Sequence, residues 1–427
     1  MNKILIKAKS LRGEITVPGD KSISHRSVMI GAISEGTTEI TGFLNAADPR
    51  STVSCLNSLG IKHKMENGKL FIYGNGLNGL KKPAAVLDAG NSGTTIRLIT
   101  GILAGQKFDS TITGDQYLVK RPMKRIIDPL TAMGANIAST EKFTAPLKIQ
   151  AVEKLRAIDY ELPIASAQVK SAVLFAGLYA DGITRVIEKD PSRDHTERML
   201  NLVSKKQDGV TIVQVEGGMR LNARPFTVPG DPSSAAFFIL AALITPNSEI
   251  IVHNVGLNPT RIGFLDVLKK LNANITIENE RVVGGEPIGD IIASTSELTA
   301  NIELSGNIIP NIIDEIPILS VAAANAKGTF EVHGAKDLRS KETDRISAIS
   351  GNLKKMGINV EEYDDGFAFE SKGNLSAGEF DSFDDHRIAM AFGIAALALN
   401  GESTIKNAEC VSISFPEFWE TLHSLQH

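Results

Sequence analysis

Two cations and a hydroxyl follow closely on a turn in Val17-Pro18-Gly19-Asp20-Lys21-Ser22-Ile23-Ser24-His25-Arg26. Pro18 and Gly19 break a strand, and Asp20 is placed to cap a helix that continues through Val28, Met29, Ile30, Ala32 and Ile33. Lys21, Ser22 and Arg26 then fall in its first turns, where free backbone N–H groups and the helix dipole attract anions. Ser22 and Arg26, four apart, share a face, and the long stem of Lys21 reaches the same side. The fitting chemistry is capture of a phosphate or carboxylate; a capped helix with two solvated cations is the plainer alternative. About half a chain later the turn recurs as Val228-Pro229-Gly230-Asp231-Pro232-Ser233-Ser234, followed by an apolar helix from Phe237 to Leu243. No Lys, Arg or His stands where the first copy has Lys21 and Arg26. A period near half the length marks a duplication in which one copy carries charge and the other mainly keeps the geometry.

Further stretches carry comparable residues. Gly90-Asn91-Ser92-Gly93-Thr94-Thr95-Ile96-Arg97 lets backbone amides approach an anion closely, or is simply a tight turn; no Walker lysine follows it. Gly114 to Arg125 gathers Lys120, Arg121, Lys124 and Arg125 around a helix start, as an anion site or a solvated basic turn. Ser166-Ala167-Gln168-Val169-Lys170-Ser171 brings polar groups into an apolar helix, so they need a ligand or a cap interaction. Ser192 to Arg198 reads as a capped helix with ion pairs rather than a metal site. Later come Asp314-Glu315, Lys341-Glu342-Thr343-Asp344-Arg345 and Asp384-Asp385-His386-Arg387. Lys341 and Arg345 are four apart on one expected helix face, and an exposed ion-pair helix would account for them. Asp385-His386-Arg387, however, leads straight into an apolar helix, where charges need partners.

The elements that must position these residues form a repeat. Each unit reads as an apolar helix opened by a polar or Gly-rich turn, a short strand, a second helix ending near Gly, and two strands. The first runs from Lys21 through strand Thr37–Thr41 and helix Pro49–Leu59 to strands Ile61–Met65 and Leu70–Tyr73. The second opens at Asn91, with Ser110–Thr113, helix Pro122–Met133, Ala135–Ala138 and Leu147–Gln150. The third opens at Ser166, with Thr184–Ile187, helix Asp194–Lys206 and strands Val210–Val215 and Met219–Leu221. The others open at Asp231, Asn311 and Asp384, with amphipathic helix Glu342–Lys355 in the fifth and helix Pro416–Leu425 closing the last. The first helices are apolar nearly all round, which predicts burial on every side, with sheets outside. The chain passes between halves at the two Pro-Gly-Asp turns, giving domains 20–229 and 1–19 with 230–427, hinged at 18–20 and 229–231.

At 427 residues, 42% hydrophobic and 22% charged, the composition is that of a globular protein with ample core. A net charge of −4 argues against nucleic acid but allows a small anion, which needs only a local group of cations. Cys55 and Cys410 are too few for a disulfide framework or Cys-based metal site. Met1–Ser10 lacks the apolar core of a signal peptide, and no apolar run is long enough to span a bilayer, so a cytoplasmic, non-membrane protein is expected.

Across essentially its whole length the sequence resembles the EPSP synthase family of enolpyruvyl transferases. The resemblance rests on Lys21-Ser22 with Arg26, Gly90 to Arg97, Arg121-Pro122, Ser166-Ala167-Gln168, Asp314, Lys341 to Arg345 and Asp385-His386-Arg387. It implies a duplicated inside-out α/β barrel with three βαβαββ-type units per domain, buried helices and outer sheets. The implied reaction moves the enolpyruvyl group of phosphoenolpyruvate to the 5-hydroxyl of shikimate 3-phosphate, without cofactor or metal, in a monomer. Carried over, Lys21, Ser22, Arg26, Ser166, Ala167, Gln168, Asp314 and Lys341 hold shikimate 3-phosphate. Lys21, Gly93, Arg121, Gln168, Arg345 and Arg387 hold phosphoenolpyruvate, the site at which family members commonly bind glyphosate. Asp314 is the implied base, and Glu342 the implied proton donor and acceptor at the methylene carbon. Ser92 and Thr95 replace common alanines, Ala167 replaces a second serine, and Ile413-Ser414-Phe415-Pro416 lacks a common cation for which Lys120, Lys124 or Arg125 would substitute. Two alternatives are the sister enzyme acting on UDP-N-acetylglucosamine, which normally has Asn after the first Lys where Ser22 stands, and a non-catalytic sensor of phosphorylated metabolites. The sensor would not need Asp314 and Glu342 together.

Overall fold

The computed structural model describes all residues, Met1–His427. Two compact units form, Gly19–Val228 and Met1–Pro18 with Pro229–His427. Six apolar helices dominate their cores: α1 (Lys21–Ile33), α2 (Gly93–Leu103) and α3 (Ala167–Gly177) in the first unit, α4 (Pro232–Ile244), α5 (Ile316–Asn325) and α6 (His386–Ala396) in the second. Lacking a polar face, they can only be buried. Every residue of α6 is buried, as is α4 from Pro232 to Leu243. Phe238 of α4 packs on Phe415 and Phe418 at ring-centroid distances of 5.7 and 5.4 Å. Truncating such a ring to Ala costs about 3–5 kcal/mol.

Four-stranded sheets flank these helices, and five share one order. In the first, Glu35–Thr41 pairs in parallel with Phe226–Thr227 and antiparallel with Lys69–Asn75, which holds Lys62–Glu66 at the edge. Lys62–Glu66 and Val203–Gln207 are exposed throughout, as outer strands are. A further sheet has three strands, Glu379–Asp381, Glu402–Lys406 and the amino-terminal Lys3–Ile6, and a small one has two, Leu155–Arg156 and Ala180–Asp181. Strand Arg12–Thr16 pairs with Glu249–Gly256 as Phe226–Thr227 pairs with Glu35–Thr41, so in each unit the strand just before a Pro-Gly-Asp turn completes the first sheet of that unit. That pairing delivers the chain into both Pro-Gly-Asp turns. Gly19 is required there, because a Cβ would lie 1.9 Å from the carbonyl oxygen of Gly42.

Two expectations are corrected. The helix expected over Asp194–Lys206 is only His195–Leu200; Asn201, at φ 52°, takes the left-handed conformation that ends it. Val203–Gln207 is instead a strand, joined to Val210–Glu216 through Asp208-Gly209, both at positive φ as a two-residue hairpin requires, and Met219–Leu221 is no strand. The second correction concerns Lys341 and Glu342. Asp344 caps the helix Arg345–Lys355 by accepting from the Ser347 N–H, so Lys341 and Glu342 lie in the preceding turn and share no helix face with Arg345.

Candidate functional site

In the unit Gly19–Val228, the starts of α1, α2 and α3 carry the candidates. Asp20 accepts from the Ile23 N–H at 2.8 Å, which fixes the first turn of α1. Lys21 lies there, pairing with Asp48 at 3.2 Å while keeping 18% of its side chain exposed. Arg26 is no solvated cation. It is 3% exposed, donates to Thr196 at 2.7 Å and Ser171 at 2.8 Å, and returns a bond to the carbonyl of Ser22 at 3.0 Å. Its plane is therefore fixed, and the adjacent Ser22 hydroxyl shares its side of the helix.

Ser92 caps α2, and Ser166 caps α3. Gln168 ties these two starts together, accepting from Arg97 Nη1 at 2.7 Å and donating to the Thr94 hydroxyl at 3.1 Å. Arg121, 8% exposed, donates to Asn91 at 2.6 Å. A Cβ on Gly93 would come within 3.0 Å of Arg97 Nη1 and 3.2 Å of Arg121 Nη1. Glycine here lets two guanidinium groups close on one backbone turn. Ala167 stands beside Gln168 in the first turn of α3. Of the alternative cations, Lys124 is engaged by Asp128 at 2.7 Å and by the Phe143 ring, and Lys120 is exposed.

Three residues to which the sequence reading gave no role complete this set. Asp48 lay outside the motifs, whereas Arg97 and Lys170 stood within them. Lys170, 1% exposed, is bound to Glu188 at 2.7 Å and Glu197 at 2.6 Å. Burial works against its charge, but the two carboxylates more than offset this and raise its pKa. Burial likewise pushes Glu197 up, against the pull of Lys170. The polar entry into α3 thus finds its partner inside the protein. A buried Lys beside two distant acids was the available signal, but nothing local links position 170 to 188 and 197.

The second unit builds a denser set. Asp314, just ahead of α5, accepts from Lys341 at 3.3 Å and Arg345 at 3.2 Å, and Arg387 Nη2 approaches within 3.8 Å. Arg345 is 1% exposed and serves three carboxylates: Asp314, Glu342 at 2.7 Å and Asp385 at 2.8 Å. Burial disfavours its charge, yet Asp385, Glu342 and Asp314 together raise its pKa further. Lys341 is held below the ordinary lysine value by burial, opposed by Asp314 and assisted by Arg345. Asp385 also caps α6 through the backbone N–H groups of Arg387 and Ile388, so one carboxylate holds the Arg345 guanidinium and the start of the helix that carries Arg387. Lys341, Arg345, Asp314, Glu342 and Arg387 are brought together despite the corrected helix boundary, because Asp314 and Arg345 collect them.

Such an arrangement can bind anions and move protons. Rigid guanidinium groups match phosphate and carboxylate oxygens, and two carboxylates on one guanidinium can serve two separate proton transfers. A family model described as EPSP synthase (3-phosphoshikimate 1-carboxyvinyltransferase) matches residues 5–422. The 3-phosphoshikimate 1-carboxyvinyltransferase of Salinibacter ruber is 49% identical over 99% of both chains, and that of Thermodesulfovibrio yellowstonii is 49% identical over all of both. Among solved structures, EPSP synthase from Acinetobacter baumannii superposes with a TM-score of 0.87 at 46% identity, covering 100% of this chain and 98% of the other.

Proposed function

The chain belongs to the EPSP synthase family, and from that premise we propose that it transfers the enolpyruvyl group of phosphoenolpyruvate to the 5-hydroxyl of shikimate 3-phosphate, releasing phosphate. The observation that carries the assignment of roles is the convergence of Lys341, Arg345 and Arg387 on Asp314, with Glu342 held by the same Arg345. In this reading Asp314 takes the proton of the 5-hydroxyl as its oxygen attacks the central carbon of phosphoenolpyruvate. Glu342, having picked up a proton, gives it to the methylene carbon, and a tetrahedral adduct forms. Glu342 then takes a methyl proton back, the double bond re-forms, and phosphate leaves.

The binding groups divide by chemistry. Ser22, Arg26, Ser166, Ala167, Gln168, Asp314 and Lys341 engage shikimate 3-phosphate, and Lys21 touches both substrates. Gly93, Arg121, Gln168, Arg345 and Arg387 engage phosphoenolpyruvate. Two polyanions repel each other, and fixed cations in a low-dielectric site offset that repulsion. The proton transfers at the 5-hydroxyl and at the methylene carbon are served by Asp314 and Glu342, and the proposal invokes no cofactor or metal. It places the enzyme in the cytoplasm as a monomer; the buried thiols Cys55 and Cys410 are free, which suits a reducing compartment. No single helix is long and apolar enough to cross a membrane.

The test is phosphate release from phosphoenolpyruvate with either acceptor. Release with shikimate 3-phosphate and none with UDP-N-acetylglucosamine is expected, and the reverse pattern would overturn the proposal.

A further inference from the structure

A line of hydrogen bonds with no role in the steps above runs beneath the starts of α1 and α2. His25 Nδ1 meets the Thr52 hydroxyl at 2.7 Å, and Thr52 meets the Thr95 hydroxyl at 2.7 Å. Thr95 in turn donates to Ser92 Oγ at 2.8 Å. All four residues are fully buried, at 0% exposure. The direction of the line follows from counting hydrogens. Because Thr95 gives its only hydroxyl proton to Ser92, Thr52 must donate to Thr95, and His25 must then donate to Thr52. His25 is thereby the Nδ1–H tautomer, with a bare Nε2 that has no partner. A second ring proton would find no acceptor there. Burial, with Lys21 and Arg26 nearby, also holds its pKa well below the usual histidine value, against the smaller pull of Asp20.

The line joins three elements that the chemistry needs in register. His25 is on α1, which carries Lys21 and Arg26. Thr52 is on the helix Ala47–Ser58, which carries Asp48, the partner of Lys21 at 3.2 Å. Thr95 and Ser92 hold the turn of Gly93, where an added Cβ would lie 3.0 Å from Arg97 Nη1 and 3.2 Å from Arg121 Nη1. Ser92 Oγ also accepts the Thr95 N–H at 3.1 Å, so the same atom caps α2 and ends the line. We propose that His25, Thr52, Thr95 and Ser92 are positioning residues that hold the Gly93 turn in register with Lys21 for phosphoenolpyruvate. Shikimate 3-phosphate is affected much less, since Arg26 is fixed separately by Thr196 and Ser171. This rests on the reaction proposed above.

Steady-state kinetics on Thr95→Val, which keeps shape and removes the hydroxyl, provide the test. The KM for phosphoenolpyruvate should rise about tenfold, the size of one net hydrogen bond, while kcat and the KM for shikimate 3-phosphate stay within about twofold. Thr95→Ser should restore the parent value, and Ser92→Ala, at the other end, should repeat the defect. A purely structural role would lower the active fraction and so kcat alone; that result, or both KM values rising together, would overturn the proposal. Should Thr95→Val not fold, Ser92→Ala and nitrogen NMR of the parent decide: a His25 ring protonated at Nε2, or titrating between pH 6 and 8, overturns the line as drawn. Absence of phosphate release by the parent would instead count against the reaction, and the tautomer would still report on the line.

Discussion

The two Val-Pro-Gly-Asp turns begin alike and end differently. Both aspartates are buried and cap their helices at 2.8 Å, Asp20 through Ile23 and Asp231 through Ser233. In the second copy the cation is internal. Arg261, 1% exposed, binds Asp231 at 3.0 Å and Ser233 at 3.0 Å, and Ser233 donates to Glu315, which Arg387 Nη1 approaches at 4.0 Å. In the first copy the cation is Lys21, placed on the turn itself, paired with Asp48 and still partly exposed. One scaffold thus carries positive charge in two ways: enclosed at Arg261, and partly exposed at Lys21. The surrounding sets differ in the same sense. Lys21 pairs with Asp48, and hydroxyl and amide groups hold Arg26 (Thr196, Ser171), Arg97 (Gln168) and Arg121 (Asn91), whereas Lys341, Arg345 and Arg387 are matched by Asp314, Glu342 and Asp385. Hydroxyl and amide partners orient a guanidinium; a matched set of acids and bases suits moving protons.

The largest effect should come from breaking the locked turn. Arg261→Met leaves the Asp231 carboxylate buried without its cation, which typically costs about 3–5 kcal/mol. Denaturant unfolding should show this loss, and Asp231→Asn added to Arg261→Met should recover part of it. Lys21→Met should do the opposite, leaving stability within about 1 kcal/mol and abolishing most turnover, since its ion pair is partly exposed. Equal stability losses at the two turns would erase the distinction.

Next in size is the matched set. Asp314→Asn and Glu342→Gln keep shape and remove the proton transfers proposed for them, so each should lower kcat by about 10²-fold or more. In deuterated water the parent should carry label into the methylene of phosphoenolpyruvate, and Glu342→Gln should suppress this most directly. Label exchange at the parent rate in Glu342→Gln would transfer the carbon acid role elsewhere, with Lys21 the leading candidate.

A smaller effect is expected at Gly93. The added methyl of Gly93→Ala meets Arg97 Nη1 and Arg121 Nη1, the far ends of long side chains rather than backbone, so the fold should tolerate it while both cations shift by a few tenths of an ångström. Inhibition by glyphosate, longer than phosphoenolpyruvate, should weaken more than substrate binding does. An unchanged inhibition constant would refute the steric argument.

These contrasts also mark where sequence reading works. Apolar helices without a polar face, caps such as Asp20 and Asp385, and the repeated turn are local signals, because each depends on neighbours within a few positions. Asn201 and Asp208-Gly209 were local too, and a stricter reading of left-handed and hairpin residues would have found the strand Val203–Gln207. The partners of Lys170, Arg26 and Asp231 were not legible, since Glu188 and Glu197, Thr196 and Arg261 reach them only through tertiary packing. The matched set was legible as residues but not as geometry: the helix assumed to align Lys341 with Arg345 does not extend that far, and Asp314 gathers them instead.

The smallest expected effect separates the strands that lead into the two turns. Arg12–Thr16 enters the first turn, and its Glu14 binds His253 at 2.9 Å, while Asp290 binds the other ring nitrogen at 3.2 Å. Phe226–Thr227 enters the second, with a 3.2 Å bond from Thr41 to Thr227 and the Arg224 guanidinium, which does not titrate, 4.9 Å over the Phe226 ring. Hydrogen bonds to Glu14 and Asp290 raise the pKa of His253 above its unfolded value of about 6.5, and burial opposes them. A raised histidine contributes stability that is fully present below about pH 6.5 and is lost as pH rises through the folded value. About a third of the ring is exposed, so solvent screening keeps the contribution below about 1 kcal/mol. Thermal unfolding of the parent and His253→Gln between pH 5.5 and 8.5 should therefore show the largest Tm gap at the acid end, closing as pH rises. Thr227→Val should lower Tm by an amount that does not change with pH. A gap for His253→Gln that is equally flat would mean the ring acts by packing alone, and the strands into the two turns would then both be held by contacts that do not titrate.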